Sequence, residues 1–189
     1  MLNNIFVPFI RKRSETVVSR IKPYIKKGIK LIDIGSGSGD VASLLQSQGF
    51  EVTPVDVADF HGPRMIKTTI YDGKTLPFKD KSFDTALLLM VMHHTPNPEI
   101  VFKEASRVAK EVIVIETSYT TKLNRYFTII SDAIGNLRLE IFWNSYKNNL
   151  DWSKYFKSEG YAVTDTHQYW DRNFGLIPFL HILYYLRQK

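Results

Sequence analysis

Residues 29–40 read Ile29-Lys-Leu-Ile-Asp33-Ile-Gly35-Ser36-Gly37-Ser-Gly39-Asp40, and the expected architecture of the chain follows from them. Leu31, Ile32 and Ile34 make a short apolar run fit for a strand buried on both faces, interrupted by Asp33 one residue before its end. Gly35, Gly37 and Gly39 then recur at every second position, so the backbone can take positive φ and leaves no side chain in the way of a ligand lying against it. Val41, Leu44 and Leu45 return at helical spacing, which sets the first free N–H groups of a helix beside that turn. Strand, glycine turn and helix in this order describe the ligand crevice at the carboxyl edge of an open α/β sheet. The dinucleotide fingerprint G-x-G-x-x-G differs, because here the third glycine arrives one residue early. Asp33 adds to the contrast, since a carboxylate at the strand's end repels a pyrophosphate and attracts an ammonium group. A cationic ligand therefore fits better than a dinucleotide.

The 189 residues suffice for one domain with a real core and are too few for two of ordinary size. Apolar residues make up 44% and aromatic residues 13%, a globular composition. Cysteine is absent, which excludes disulfides, cysteine-based metal sites and thiol nucleophiles and agrees with a reducing compartment. No metal site is expected. The formal net charge of +6 is uneven: the first thirty residues hold Arg11, Lys12, Arg13, Arg20, Lys22, Lys26, Lys27 and Lys30 against Glu15 alone, leaving the remainder slightly acidic. Such an arm touches anionic lipid or nucleic acid, or is simply a solvated face. No stretch reaches the roughly 18 apolar residues that cross a bilayer. The apolar part of the N-terminus precedes the basic cluster, unlike a signal peptide, so a cytoplasmic location is expected.

The chain divides into residues 1–28, an amphipathic arm and first helix, and residues 29–189, a single domain. In the arm Leu2, Ile5, Phe6, Phe9 and Ile10 keep helical spacing around Pro8, which predicts an irregular or kinked segment and a candidate lid. Ser14 is placed to cap a helix whose Val17, Val18 and Ile21 share a face. Beyond the glycine turn, residues 51–56 return as a second strand ending in Asp56, 21 residues after Gly35, where nucleotide-binding crevices hold a ribose diol. Residues 65–70 are predicted as a third strand leading to Asp72, whose carboxylate can accept from an exocyclic amine. Residues 85–92 form an apolar central strand with His93 and His94 at its end, Asn97-Pro98 starts a helix, and residues 111–117 make a fifth strand. Leu123, Tyr126, Phe127, Ile130, Ile134 and Leu137 trace an amphipathic helix, followed by an aromatic loop around Trp143. A short helix carries Trp152, Tyr155 and Phe156. Two closing strands, residues 161–169 and one within 176–187, imply an antiparallel hairpin at the end of a mostly parallel sheet.

Three segments at this spacing, the stretch from Leu31 to Gly39, Asp72-Gly-Lys-Thr-Leu-Pro-Phe78 with Ser82-Phe-Asp84, and Met92-His-His-Thr95 with Glu104-Ala-Ser-Arg-Val108, give the chain its family likeness. It resembles the class I S-adenosylmethionine-dependent methyltransferases, in particular the small type 11 methyltransferase-like domains. The resemblance implies a Rossmann-like α/β fold: a seven-stranded, mostly parallel sheet with an antiparallel last strand, helices on both faces and a small helical and aromatic cap. It also implies S-adenosyl-L-methionine as cofactor. Asp33 with Gly35, Ser36, Gly37 and Gly39 would hold its methionine end, Asp56 its ribose, Asp72 and Gly73 its adenine, and Val57 and Met90 would line the same crevice. One departure is Thr53-Pro54 ahead of Asp56, because proline removes a ladder donor from the second strand.

The expected reaction is methyl transfer to a small, apolar or aromatic acceptor by in-line attack. Proximity of that kind supplies roughly 7 to 11 kcal/mol, so a catalytic side chain is optional. If the acceptor must lose a proton, His94 is the preferred general base, with His93, Tyr126 and Trp143 lining the acceptor pocket; the alternative is that both histidines are structural. A nucleic-acid substrate is not expected, because no Asn-Pro-Pro-Tyr-like motif follows the fourth strand. Peripheral membrane contact through the basic arm suits a lipid-soluble acceptor, and the chain is a monomer or homodimer. Two other classes are a cofactor-binding domain without transferase activity and an NAD-dependent oxidoreductase, the latter opposed by the glycine spacing, Asp33 and Asp72.

Overall fold

The computed structural model describes residues 3–60, 66–135, 141–173 and 177–189. Seven strands form one sheet in the order β3-β2-β1-β4-β5-β7-β6. They are β1 (Lys30–Ile34), β2 (Glu51–Asp56), β3 (Thr69–Ile70), β4 (Phe83–Leu89), β5 (Ala109–Ser118), β6 (Tyr161–Asn173) and β7 (Ile177–Gln188). Strands β1 to β5 pair in parallel. Strand β7 runs antiparallel to both β5 and β6, and so enters the sheet between them. The helices are α1 (Asn3–Ile21), α2 (Asp40–Ser47), α3 (Pro98–Val108), α4 (Lys122–Gly135) and α5 (Asn149–Ser158).

Strand alternation sorts the apolar residues into two layers. Leu31, Leu87, Ile113 and Leu183 face Val17, Val18 and Ile21 of α1 and Ala42 and Leu45 of α2. Ile32, Leu88, Val112 and Tyr184 face Val101, Phe102 and Ala105 of α3 and Trp152 and Phe156 of α5. The end of the 1–28 segment is thus part of the core rather than an appendage. Residues 3–21 form one continuous helix that includes Pro8. Ser14 is therefore interior to a helix and does not cap one, a correction to the sequence expectation. The third strand is also shorter than expected, two residues where six were predicted, and Met65 lies outside the described residues, as does Leu137.

Pro54 is accommodated by its neighbours. Val55 turns its carbonyl toward β1, where it accepts from Gly35 and Ser36 at 2.8 and 3.1 Å. Pro54 consequently turns its donorless backbone to the other side, where β3 begins to pair only at Val55. The second strand keeps its full length and delivers Asp56 to the carboxyl edge of the sheet.

Candidate active site

The glycine turn is drawn tight against the sheet. Gly35 has φ +77°, and a Cβ there would run into Val91, so only glycine permits this approach. Gly37, at φ +55°, faces open space instead, with nothing within 4 Å of a hypothetical Cβ. Its N–H donates to Asp56 Oδ2 at 2.7 Å, while Val57 N donates to Asp56 Oδ1 at 2.7 Å. Asp56 therefore clamps the turn to the tip of β2, and each oxygen retains acceptor capacity for a further donor. Ser36 Oγ is buried in the same turn with no hydrogen-bond partner.

Asp33 is 2% exposed. Burial, and then the neighbouring Asp56 carboxylate, push its carboxyl up to about 7. Asp72 is placed at the end of β3 and differs in character: its Oδ1 accepts from Lys74 N and Thr75 N, both at 2.8 Å. Those backbone donors hold it below the usual carboxylate range, so it stays ionised. Gly73 follows at φ +75° with the exposed Val57 side chain against it. Met90 ends β4 in the left-handed region at φ 58°, an uncommon conformation for a side chain of its size. Arg13 of α1 reaches across to donate to its sulfur at 2.9 Å. The helix from the N-terminal segment thus passes over the carboxyl edge.

Beyond Met90 the chain turns through Met92–His94. His93 is 1% exposed and its Nδ1 is hydrogen-bonded to Glu116 Oε2, while Glu116 Oε1 accepts from Met92 N at 2.8 Å. Burial opposes a charge on His93, but the Glu116 and Asp132 carboxylates outweigh it and its pKa is raised. His94 packs against it with ring centroids 4.1 Å apart and the planes tilted by 47°, and is more open, its side chain 16% exposed. Asp132 of α4, itself buried, lies within 4 Å of one nitrogen of each ring and accepts from Tyr146 Oη at 2.7 Å. A small cavity of about 10 Å³, bounded by His93, His94, Asp132, Ile141, Phe142 and Tyr146, opens beside this cluster.

The carboxyl edge therefore gathers Asp33, Gly35, Ser36, Gly37, Gly39, Asp56, Val57, Asp72, Gly73 and Met90, with His93 and His94 beyond the end of β4. Tyr126 and Trp143 pack on each other at 5.7 Å, and both are exposed. Three residues of this region were not singled out by the sequence. Glu116 carried a signal, a carboxylate directly after the apolar run Val112-Ile-Val-Ile115 of its strand. Asp132 was masked by the more prominent apolar stripe on its own helix, and Arg13 by the basic run around it.

A family model described as a methyltransferase domain matches residues 9–179. The chain belongs to the class I S-adenosylmethionine-dependent methyltransferases. A S-adenosylmethionine-dependent methyltransferase from Methanosarcina mazei superposes with a TM-score of 0.69 at 18% identity, over 89% of this chain and 96% of that one. Squalene methyltransferase 1 of Botryococcus braunii is 28% identical over 143 residues, covering 69% of this chain and 38% of that protein. Demethylmenaquinone methyltransferase of Staphylococcus aureus is 29% identical over 135 residues, covering 60% of this chain and 56% of that protein. The chain thus spans only part of the length of these curated relatives.

Membership of this methyltransferase family implies S-adenosylmethionine as cofactor. The residues present fit such a molecule on three counts. Ser36 has an unused hydroxyl in the turn, Gly37 borders open space, and Asp33 is a buried carboxyl whose charge a cation would stabilise.

Proposed function

We propose that this methyltransferase domain transfers methyl from S-adenosylmethionine to a small apolar or aromatic acceptor that enters beside His94. The observation that carries the reading is the set of three carboxylates, Asp33, Asp56 and Asp72, around a glycine turn at one sheet edge, an electrostatic environment suited to a cationic nucleoside. When bound, the cofactor supplies a methyl already activated on a positively charged sulfur. Asp33 with Ser36 would hold the amino-acid end, Asp56 the ribose hydroxyls, and Asp72 with Gly73 and Val57 the adenine. Arg13 and Met90 close the crevice from above and keep water from it. His94, whose Nε2 lies 3.5 Å from Asp132 Oδ2 and is oriented by it, is the base for an acceptor that must lose a proton. His93 supports it from beneath by ring contact.

The acceptor class is supported by two features. The aromatic pair Tyr126 and Trp143 stands near the cavity wall formed by Phe142, and relatives named for squalene and demethylmenaquinone carry lipid-soluble substrates in their names. Such an acceptor is met at a membrane surface, and the basic residues of 11–30 together with the exposed apolar residues of α4 suit contact with anionic lipid. The test is a methyl-transfer assay with labelled cofactor against squalene, demethylmenaquinone and a polar phenol, each with and without anionic liposomes. Label in an apolar product, enhanced by liposomes, is expected. Cofactor binding without label in any of them would leave only the binding-domain reading.

A further inference from the structure

The cluster beyond β4 has a geometry that cofactor binding does not require and that a proton-accepting His94 leaves in part unexplained. His93 Nε2 has no hydrogen-bond partner although the residue is 1% exposed. Its other nitrogen is occupied by the Glu116 carboxylate, so in the neutral ring the lone pair resides on Nε2, which lies 3.7 Å from Asp132 Oδ2. That distance is too long for a hydrogen bond. His94 Nε2 approaches the same oxygen at 3.5 Å. One nitrogen of each histidine and one oxygen of Asp132 all lie within 4.8 Å of one another, and among the described residues this is a group with the composition to hold a metal ion.

We propose that His93, His94 and Asp132 form a binding site for a divalent transition-metal ion of the Zn²⁺ type. Ligand bonds of about 2.0 to 2.2 Å in tetrahedral array separate neighbouring donor atoms by roughly 3.3 to 3.6 Å, close to the two separations from Asp132 Oδ2 found here. The surroundings match a metal site as well. Glu116 takes the Nδ1–H of His93 and fixes its tautomer, the carboxylate–histidine arrangement that orients metal ligands, and Tyr146 hydrogen-bonds the Asp132 carboxylate. Two imidazoles and one carboxylate select a borderline ion such as Zn²⁺ or Fe²⁺ over Mg²⁺ or Ca²⁺, which take oxygen ligands. Three protein ligands leave a fourth position, and the adjoining cavity of about 10 Å³ has room for about one water molecule. The proposed site departs from the expectation from sequence that there is no metal site. It is independent of methyl transfer except at His94, whose ring serves either the ion or an acceptor proton at a given moment.

The test uses the whole chain, purified without a histidine tag, stripped with chelator and loaded with Zn²⁺ or Co²⁺. Metal analysis after gel filtration is expected to find one ion per chain, and the Co²⁺ form to show the visible bands of a four-coordinate site. X-ray absorption of the Zn²⁺ form is expected to give two imidazoles in the first shell. His94→Ala, the most exposed of the three positions, should weaken Zn²⁺ at least tenfold, whereas a tenfold excess of Mg²⁺ should displace nothing. Absence of a retained ion in the unaltered chain overturns the proposal. So does an ion that survives His94→Ala unchanged, which would place it elsewhere, as at the exposed pair His167 and Asp165. Cofactor titration run in parallel keeps the two readings separable, since a chain that binds cofactor and no metal loses only this inference.

Discussion

Asp33 couples the two equilibria this domain must run. In the ligand-free protein its carboxyl is pushed up to about 7, above its unfolded value, so the folded state holds a proton there that the unfolded state releases. Its contribution to stability is present at acid pH and is lost as pH rises through about 7. Ligand binding takes the opposite sign, because a cation is bound by the ionised carboxylate. Cofactor affinity is expected to fall by up to about tenfold per pH unit below 7, measured by calorimetry between pH 5.5 and 8. Asp33→Asn should flatten that dependence while leaving binding weak throughout. Asp56 acts through the turn as well as on the ligand. Asp56→Ala removes the acceptor of both Gly37 N and Val57 N, and charge-assisted bonds of this kind are worth about 1.5 to 3 kcal/mol each. Cofactor Kd should rise by about a hundredfold, and thermal stability should fall clearly as the two bonds are lost; an unchanged Kd would remove Asp56 from the site.

Helix α4 is where periodicity and packing part company. Its apolar residues recur as a stripe, but Leu123, Phe127 and Ile134 are 68%, 64% and 68% exposed, and the face turned inward carries Thr128, Ile129 and Asp132. A hydrophobic stripe normally faces the core; here two polar side chains are drawn inward, Asp132 by Tyr146 and the histidines, and the stripe is left outside. Paired substitutions check this. Leu123→Ser with Phe127→Ser should alter unfolding free energy by less than about 0.5 kcal/mol, as surface changes do, yet reduce sedimentation with anionic liposomes several-fold. Ile129→Ala, fully buried, should cost about 2 to 5 kcal/mol in denaturant unfolding.

Across the whole molecule, Arg107 shows how a distant helix supports the cofactor edge. Its guanidinium donates to both carboxylate oxygens of Glu104, to Asp80, and to the carbonyls of Leu76 and Phe78, while Glu104 accepts from Leu76 N at 2.7 Å. The segment after Asp72 is thereby fastened to α3. Arg107→Lys cannot reproduce the planar fork, so protease cleavage within residues 72–82 should accelerate and cofactor affinity should fall several-fold. Intact resistance to proteolysis in that variant would count against the brace.

The alternation of apolar strands and helices, the glycine turn, and acids at strand ends are local patterns, and local sterics and strand periodicity suffice to determine them. Layers, parallel order and the positions of Asp33, Asp56 and Asp72 were legible for that reason. Strand β3 was overestimated because only two residues find a partner, and pairing is settled by the neighbouring strand. Ser14 was misplaced because the burial of Val17, Val18 and Ile21 on the sheet stabilises a helix that also runs through the preceding residues. The meeting of Glu116, His93, His94 and Asp132, the reach of Arg13 to Met90, and the outward turn of α4 depend on contacts between residues far apart in the chain. No periodicity records such contacts, because burial and charge pairing between distant segments exist only once the sheet has assembled.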